Sequence, residues 1–172
     1  MHITFIQTGG TIDKDYKRGE DNHGYAFTID EAAVRRIIPQ SHALFEYDVV
    51  AATKKDSLDL TDEDRQKILD AVQNAASGRV IITHGTDTLL KTASVLNGRV
   101  EGKTVVLTGA MLPEKFKNSD ALFNVGMAVG AAQILSPGIY IALYGHVVSW
   151  MQFRELHDEY ELKSKIIATA TK

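Results

Sequence analysis

Short apolar runs, separated by segments of helical period, are the feature that most constrains the fold of this chain. Val80-Ile81-Ile82 and Val105-Val106-Leu107 lie within the strand candidates Arg79–Thr83 and Thr104–Thr108. Near-continuous apolar runs of this kind are typical of strands that are buried on both faces of a parallel sheet. The further strand candidates are Ile3–Thr8, Tyr47–Ala52 and Ile139–Tyr144.

The segments between these strand candidates carry helix signals. Thr61 begins a predicted helix with acidic residues at 62–64, where carboxylates favour the helix dipole, and Gly78 ends it. Thr28 and Glu31 have the spacing of a capping box before another helix. Two more helices are predicted over Thr86–Asn97 and Ser119–Leu135. The alternation predicts a single α/β domain that is doubly wound, Rossmann-like or flavodoxin-like, with a mostly parallel sheet and helices on both faces.

Composition narrows the functional classes. The chain has 172 residues, 44% of them hydrophobic, which suits one domain with a real core. Its 19 basic and 22 acidic side chains leave a net charge of -3, so we expect neither nucleic acid nor a membrane as a partner. There is no cysteine, and the six histidines lack metal-ligand spacing, so no metal and no cofactor are expected. A strand-like N-terminus without signal-peptide features predicts a cytoplasmic protein.

Polar and small residues follow four of the predicted strands. The segments are Thr8-Gly9-Gly10-Thr11, Lys55-Asp56-Ser57, His84-Gly85-Thr86-Asp87-Thr88 and Gly109-Ala110-Met111. Ligands of open α/β sheets bind beyond the carboxyl ends of the strands, and glycine lets main chain approach a ligand closely. This clustering predicts a site at one edge of the sheet.

Taken singly, these residues also have ordinary interpretations. Thr11 is either a nucleophile that needs a base or a turn residue, and its glycines could cradle phosphate, although the known phosphate-loop spacings are absent. Thr86 and Asp87 are either a capping pair or a hydroxyl beside a carboxylate that receives an ammonium group. His84 is predicted to be packed in the interior. Asp56 with Ser57 also fits a helix-entry loop, and Tyr25 also fits simple packing.

The motifs together resemble those of the bacterial-type L-asparaginases, amidohydrolases with a threonine nucleophile. The matching pieces are Thr8–Ile12, Ile82–Thr88, Leu107–Met111 followed by Asp120, Phe123 and Asn124, and more weakly Asp56–Thr61. The resemblance covers residues 1–145, an N-terminal-type α/β domain. Residues 146–172 are then an extension, expected to form a hairpin or helix at a subunit contact.

The resemblance implies a role for each matched position. The catalytic set is Thr11 as nucleophile, Thr86 as the second essential threonine, and Tyr25 as the loop tyrosine that closes over Thr11. The substrate-binding set is Ser57 for the α-carboxylate, Asp87 for the amine, Ala110 through its main chain at the amide, and the neighbouring Asp56, Gly10 and Gly85. The implied reaction is hydrolysis of the side-chain amide of asparagine, or of glutamine, through a threonine acyl-enzyme.

Two departures from the family pattern keep other functions open. Family members are usually about twice this length because a second domain follows. They also carry a proton-relay lysine, and the matching position of this chain falls near Arg154-Glu155, where no lysine stands. One alternative is therefore an amino-acid-binding sensor domain without turnover, and a weaker one is a flavodoxin-like nucleotide-binding domain. We expect a homo-oligomer in which Val147–Lys172 packs against a neighbour, although the same segment also fits a satellite core within one chain.

Overall fold

The computed structural model describes residues 1–16 and 27–158 of the chain. Its strands are β1 (His2–Gly9), β2 (Lys14–Tyr16), β3 (Phe27–Ile29), β4 (Glu46–Lys55), β5 (Arg79–Thr83), β6 (Thr104–Thr108), β7 (Gly138–Leu143) and β8 (His146–Ser149). Its α-helices are α1 (Val34–Gln40), α2 (Asp62–Asn74), α3 (Leu89–Leu96) and α4 (Ala121–Ile134). Short 3-10 helices cover Thr11–Asp13, Ser57–Asp59 and Thr86–Thr88. A further helix begins at Trp150 and continues to residue 158.

Six strands form one sheet in the order β4-β1-β5-β6-β7-β8. Its strands pair in parallel except β8, which runs antiparallel to β7, while β2 and β3 form a separate two-stranded hairpin. Phe5 on β1 lies opposite Val49 on one side and Ile81 on the other. Numbered by chain order, the parallel strands run 2-1-3-4-5, the flavodoxin-like order, and the order reverses between β1 and β5.

The sheet has a hydrophobic core on each face. Ile81 and Val106 lie in the core with α1 and α4, whereas their neighbours Ile82 and Leu107 lie in the core with α2 and α3. Successive side chains of a strand point to opposite faces, so an apolar run without alternation serves both cores at once. The predicted doubly wound α/β fold with helices on both faces is confirmed.

Helix starts divide into predicted and mispredicted ones. Thr61 caps α2 as expected: its Oγ1 accepts from Asp64 N–H at 3.2 Å, and its own N–H donates to the Asp64 carboxylate at 3.1 Å. The capping box at Thr28 is wrong, because Thr28 pairs with Asp15 across the β2–β3 hairpin. At the start of α1, Ala33 N–H instead donates to the buried carboxylate of Asp13 at 2.7 Å, a partner 20 residues away.

The predicted start of the helix after β5 also needed correction. Residues Thr86–Thr88 form a 3-10 turn, and α3 starts only at Leu89. After β7, strand β8 ends at Ser149, and a helix follows it from Trp150. Ser149 and Gln152 form a capping box there, with Gln152 N–H donating to Ser149 Oγ at 3.3 Å.

The C-terminal segment adds to the sheet and to its core. β8 forms the sheet edge beside β7, and Phe153, which is 5% exposed, joins the core of α2 and α3. Residues 159–172 lie outside the described residues, and the subunit contact for this segment stays a prediction. Among the described helices, none is long and apolar enough to cross a membrane.

Candidate functional site

The ends of four strands meet at one point of the sheet edge. A Cβ on Gly10, after β1, would lie 2.3 Å from the main-chain N of Gly85, after β5. A Cβ on Gly85 would lie 2.6 Å from the Oγ of Ser57, after β4. A Cβ on Gly109, after β6, would lie 3.7 Å from Thr86 Cγ2. The segments that hold Thr11, Ser57, Thr86 and Ala110 therefore converge where the strand order reverses, the usual ligand position in this fold.

The turn that carries Thr11 is tied down on several sides. Thr11 is half-buried at the start of its 3-10 helix, two residues before Asp13. The Asp13 carboxylate, 1% exposed, accepts from Ala33 N–H at 2.7 Å and from Gln7 Nε2 at 3.2 Å, and burial raises its pKa to about 6. Lys14 forms an ion pair of 2.7 Å with Asp56, which lowers the pKa of Asp56. These contacts fix the nucleophile candidate relative to α1 and to the Ser57 loop.

Ser57 has a buried hydroxyl without a hydrogen-bond partner in the part of the chain that the structure describes. The residue is 1% exposed. Buried hydroxyls are normally paired, and the few exceptions call for an explanation such as a functional role or a bound water or ion. The Ser57 carbonyl, by contrast, accepts a hydrogen bond of 2.7 Å from Thr88 Oγ1.

Arg65 and Thr88 support this loop, a role that the sequence did not indicate for either residue. Arg65 is 2% exposed, and its guanidinium donates to Leu60 O at 2.8 Å and to Thr88 Oγ1 at 3.3 Å. It thus joins the Ser57 loop to the Thr86 turn. No local pattern in the sequence marked Arg65 as buried.

The Thr86 turn stands above a packed histidine. Thr86 is half-buried and Asp87 is exposed. His84 is fully buried, with Nδ1 2.7 Å from Gly85 O and Nε2 2.8 Å from Thr92 Oγ1. Burial lowers the His84 pKa to about 4, so the imidazole is neutral near pH 7 and serves to hold the turn. The prediction that His84 is packed in the interior is confirmed.

Ala110 is buried between two anchored peptide groups. Asn124 Nδ2 donates to Gly109 O at 3.0 Å, and Met111 N–H donates to the Asp120 carboxylate at 3.0 Å. Met111 Sδ in turn contacts Thr86 Oγ1 at 3.9 Å. Sequence analysis named Asp120 and Asn124 only as residues that match the family, without a role. Their i, i+4 spacing at a helix start was the available signal that their side chains lie together.

Three further observations concern the site and its surroundings. Tyr25, the predicted closing tyrosine, lies outside the described residues. Across the described parts of the chain, no group of three His, Asp or Glu side chains is arranged to hold a metal ion. An open depression of about 740 Å³ lies beside the β2–β3 hairpin, and its Arg36 is already paired with Glu31 at 2.6 Å.

Residues 2–160 match the family model for the N-terminal domain of asparaginases. The chain belongs to the asparaginase family. Similar solved structures of that family are the thermostable L-asparaginase from Thermococcus kodakarensis and a probable cytoplasmic L-asparaginase from Campylobacter jejuni. They have TM-scores of 0.72 and 0.70 and sequence identities of 30% and 28%, and each match covers 87% of this chain.

Asparaginase-family relatives found by sequence include a different activity. The chain is 30% identical over 175 residues to a glutamyl-tRNA(Gln) amidotransferase component from Methanococcus maripaludis, a match that covers 91% of the chain. It spans 40% of that relative's length and 46% of the Thermococcus structure, so it corresponds to less than half of each. The shared part is the domain in which the four strand ends meet.

Proposed function

We propose that this domain hydrolyses the side-chain amide of a small amino acid, L-asparagine or L-glutamine, to the acid and ammonia. The observation that carries the proposal is the meeting of the Thr11 and Thr86 turns at the reversal of strand order, through the contact of Gly10 with Gly85. The turns carry two hydroxyls and a carboxylate, and the nearby buried Ser57 hydroxyl has no partner among the described residues. These groups suit a polar amino acid better than an apolar ligand.

The reaction runs in two steps. The Thr11 oxygen attacks the amide carbon, its proton passes to the leaving nitrogen through neighbouring groups, and ammonia departs to leave a threonine ester. Water then adds to the ester carbon, the C–O bond to Thr11 breaks, and the acid is released with Thr11 reprotonated. A covalent intermediate divides one difficult displacement into two easier ones.

The remaining residues bind and polarise the substrate. The Ser57 hydroxyl, unpaired within the described residues, donates to the α-carboxylate, and the exposed Asp87 carboxylate receives the α-ammonium group. Thr86 assists proton transfer, and main-chain N–H groups of the turns face the oxygen that becomes negative, where such donors contribute about 100-fold to 1000-fold in other enzymes. The family resemblance implies for Tyr25 the role of the tyrosine that closes over Thr11, and for the Ala110 main chain a position at the substrate amide.

The direct test is ammonia release from asparagine and glutamine by the intact chain. Thr11→Ala and Thr86→Ala should each abolish release while the fold survives, because both residues lie in turns and are only half-buried. Thr104→Ala, at the opposite end of β6, is the matched control and should retain turnover. Folded wild-type protein that releases no ammonia at high enzyme concentration contradicts the proposal.

The alternative is an amino-acid-binding sensor that keeps the pocket without turnover, favoured by Arg154-Glu155 where the family carries a lysine. Arginine stays protonated and is a poor proton acceptor. Calorimetry with asparagine and aspartate separates the two functions. Binding without ammonia release indicates the sensor.

A second candidate follows from the Methanococcus relative, which is one component of an amidotransferase. In this second function, amide hydrolysis at Thr11 of this chain would supply ammonia to a partner protein. Activity of the isolated chain on free asparagine favours the asparaginase function over this one. We further propose that the domain acts in the cytoplasm and forms a homo-oligomer; light scattering on the intact chain tests the oligomeric state.

A further inference from the structure

The first turn of α4 holds the main chain on both sides of Ala110. Asn124, 1% exposed, uses its Nδ2 to donate to Gly109 O at 3.0 Å and to Asp120 Oδ2 at 2.8 Å. Asp120 Oδ1 accepts from Met111 N–H at 3.0 Å and from Leu112 N–H at 3.2 Å. One connected network therefore anchors the segment from Gly109 to Leu112.

Asp120 anchors this loop instead of capping its own helix. It occupies the N-cap position of α4, where an aspartate usually accepts from the helix's own first N–H groups. Its side chain makes no such capping bond, and Ser119 Oγ accepts from Ala121 N–H at 3.1 Å instead. The carboxylate is directed to the loop after β6, although a local cap was available to it.

The anchored segment lies against Thr86. A Cβ on Gly109 would be 3.7 Å from Thr86 Cγ2, and Met111 Sδ is 3.9 Å from Thr86 Oγ1. Beyond Thr108 the segment has left the sheet, so strand pairing no longer holds it. A shift of this loop therefore changes the contacts of the Thr86 side chain.

We propose that Asp120 and Asn124 are positioning residues that hold the main chain of residues 109–111 against Thr86. The inference rests on the proposed function in so far as Thr86 acts on the substrate. The network has a fixed direction, because the carboxylate can only accept and the Asn124 amide donates to both of its partners. A displacement of about 1 Å in a catalytic group can lower the reaction rate by about 100-fold.

The expected effect falls on turnover rather than on binding. Asn124→Ala and Asp120→Ala should lower kcat about 10-fold or more, with KM and aspartate binding changed less than about 3-fold. Asp120→Asn keeps one acceptor oxygen but sets its NH2 against that of Asn124, so its kcat should lie between wild type and Asp120→Ala. Asp70→Asn, an exposed carboxylate on α2 that accepts from Gln66, is the matched control and should leave kcat unchanged.

Amide hydrogen exchange on the same variants separates this inference from the proposed function. Asp120→Ala should speed exchange at Met111 and Leu112, whether or not the wild-type chain releases ammonia, and Asp70→Asn should not. Unchanged exchange in Asp120→Ala overturns the inference. Faster exchange with wild-type kcat and KM overturns it too, because the loop would then be held without consequence for Thr86. An absence of ammonia release in wild type counts against the proposed function alone.

Discussion

Gly10 and Gly85 lie back to back at the ends of β1 and β5. A Cβ on Gly10 would stand 2.3 Å from the Gly85 nitrogen and 2.4 Å from its Cα, distances that real Cβ atoms do not reach. The contact joins the Thr11 turn to the Thr86 turn without any side chain between them. Glycine at these positions is thus a packing requirement of the candidate site.

Gly10→Ala should destabilise the fold by roughly 2 kcal/mol or more, because the methyl group meets main chain and the backbone has φ 80. Gly126→Ala lies in α4, where an added Cβ meets no described atom within 4 Å beyond its chain neighbours and its own helix backbone, so this variant should instead gain about 0.5–1 kcal/mol. Urea unfolding measures both free energies. Equal stabilities for the two variants would contradict the close contact.

Ser57→Ala should separate binding from stability. The Ser57 hydroxyl has no partner among the described residues, so its removal should change the free energy of unfolding by less than about 0.5 kcal/mol. Aspartate binding should weaken by about 10-fold, since hydrogen bonds to charged groups contribute about 1.5–3 kcal/mol.

The matched control for that variant is Ser77→Ala, which should show the opposite pattern. Ser77 Oγ donates to His2 O at 2.7 Å and accepts from Arg79 N–H at 2.9 Å, at the other end of the sheet. Its loss should cost about 1 kcal/mol or more and leave aspartate binding intact. Ser57→Ala with unchanged binding in calorimetry argues against the carboxylate role.

His84 should make the fold sensitive to acid. Its pKa is about 4 in the folded chain, below the ordinary 6.5, because burial opposes the charged form. The unfolded chain therefore takes up the proton first, so stability is complete above pH 6.5 and falls as the pH drops towards 4. The full loss is on the order of 3 kcal/mol. Urea unfolding across that range gives the slope of the free energy of unfolding against pH. His84→Gln should flatten that slope, and His146→Gln, at an exposed position, is the control that should not. An unchanged slope in His84→Gln would count against this role.

Asp13 should act in the opposite direction over nearly the same range. Burial raises its folded pKa to about 6, above the ordinary 3.8. The folded chain holds this proton more tightly, so the Asp13 contribution is fully present below pH 3.8 and is lost as the pH rises through 6. Asp13→Asn should remove that fall, and Asp48→Asn, a half-exposed carboxylate on β4, should not. Parallel pH curves for wild type and Asp13→Asn would refute the assignment.

Local patterns in the sequence predicted most of the elements. The apolar runs at 79–83 and 104–108 became strands with the predicted bounds, and Thr61 capped its helix as its spacing indicated. The error at Thr28 arose because the hairpin with β2 outweighed a cap, while the start of α1 found its acceptor in Asp13. Capping rules relate residues that are a few positions apart, whereas Asp13 lies 20 positions from Ala33, whose N–H it accepts.

By itself the sequence determined the α/β class, the order of strands and helices along the chain, and the motifs that mark the family, because periodicity and short spacings are local properties. Only the tertiary structure decided the strand order that brings Gly10 against Gly85, and with it the meeting of the Thr11 and Thr86 turns. It also decided that the Ser57 hydroxyl stays unpaired among the described residues and that Asp120 anchors a loop instead of its own helix. These properties depend on which distant residues come into contact, and that follows from how the two cores pack against the sheet.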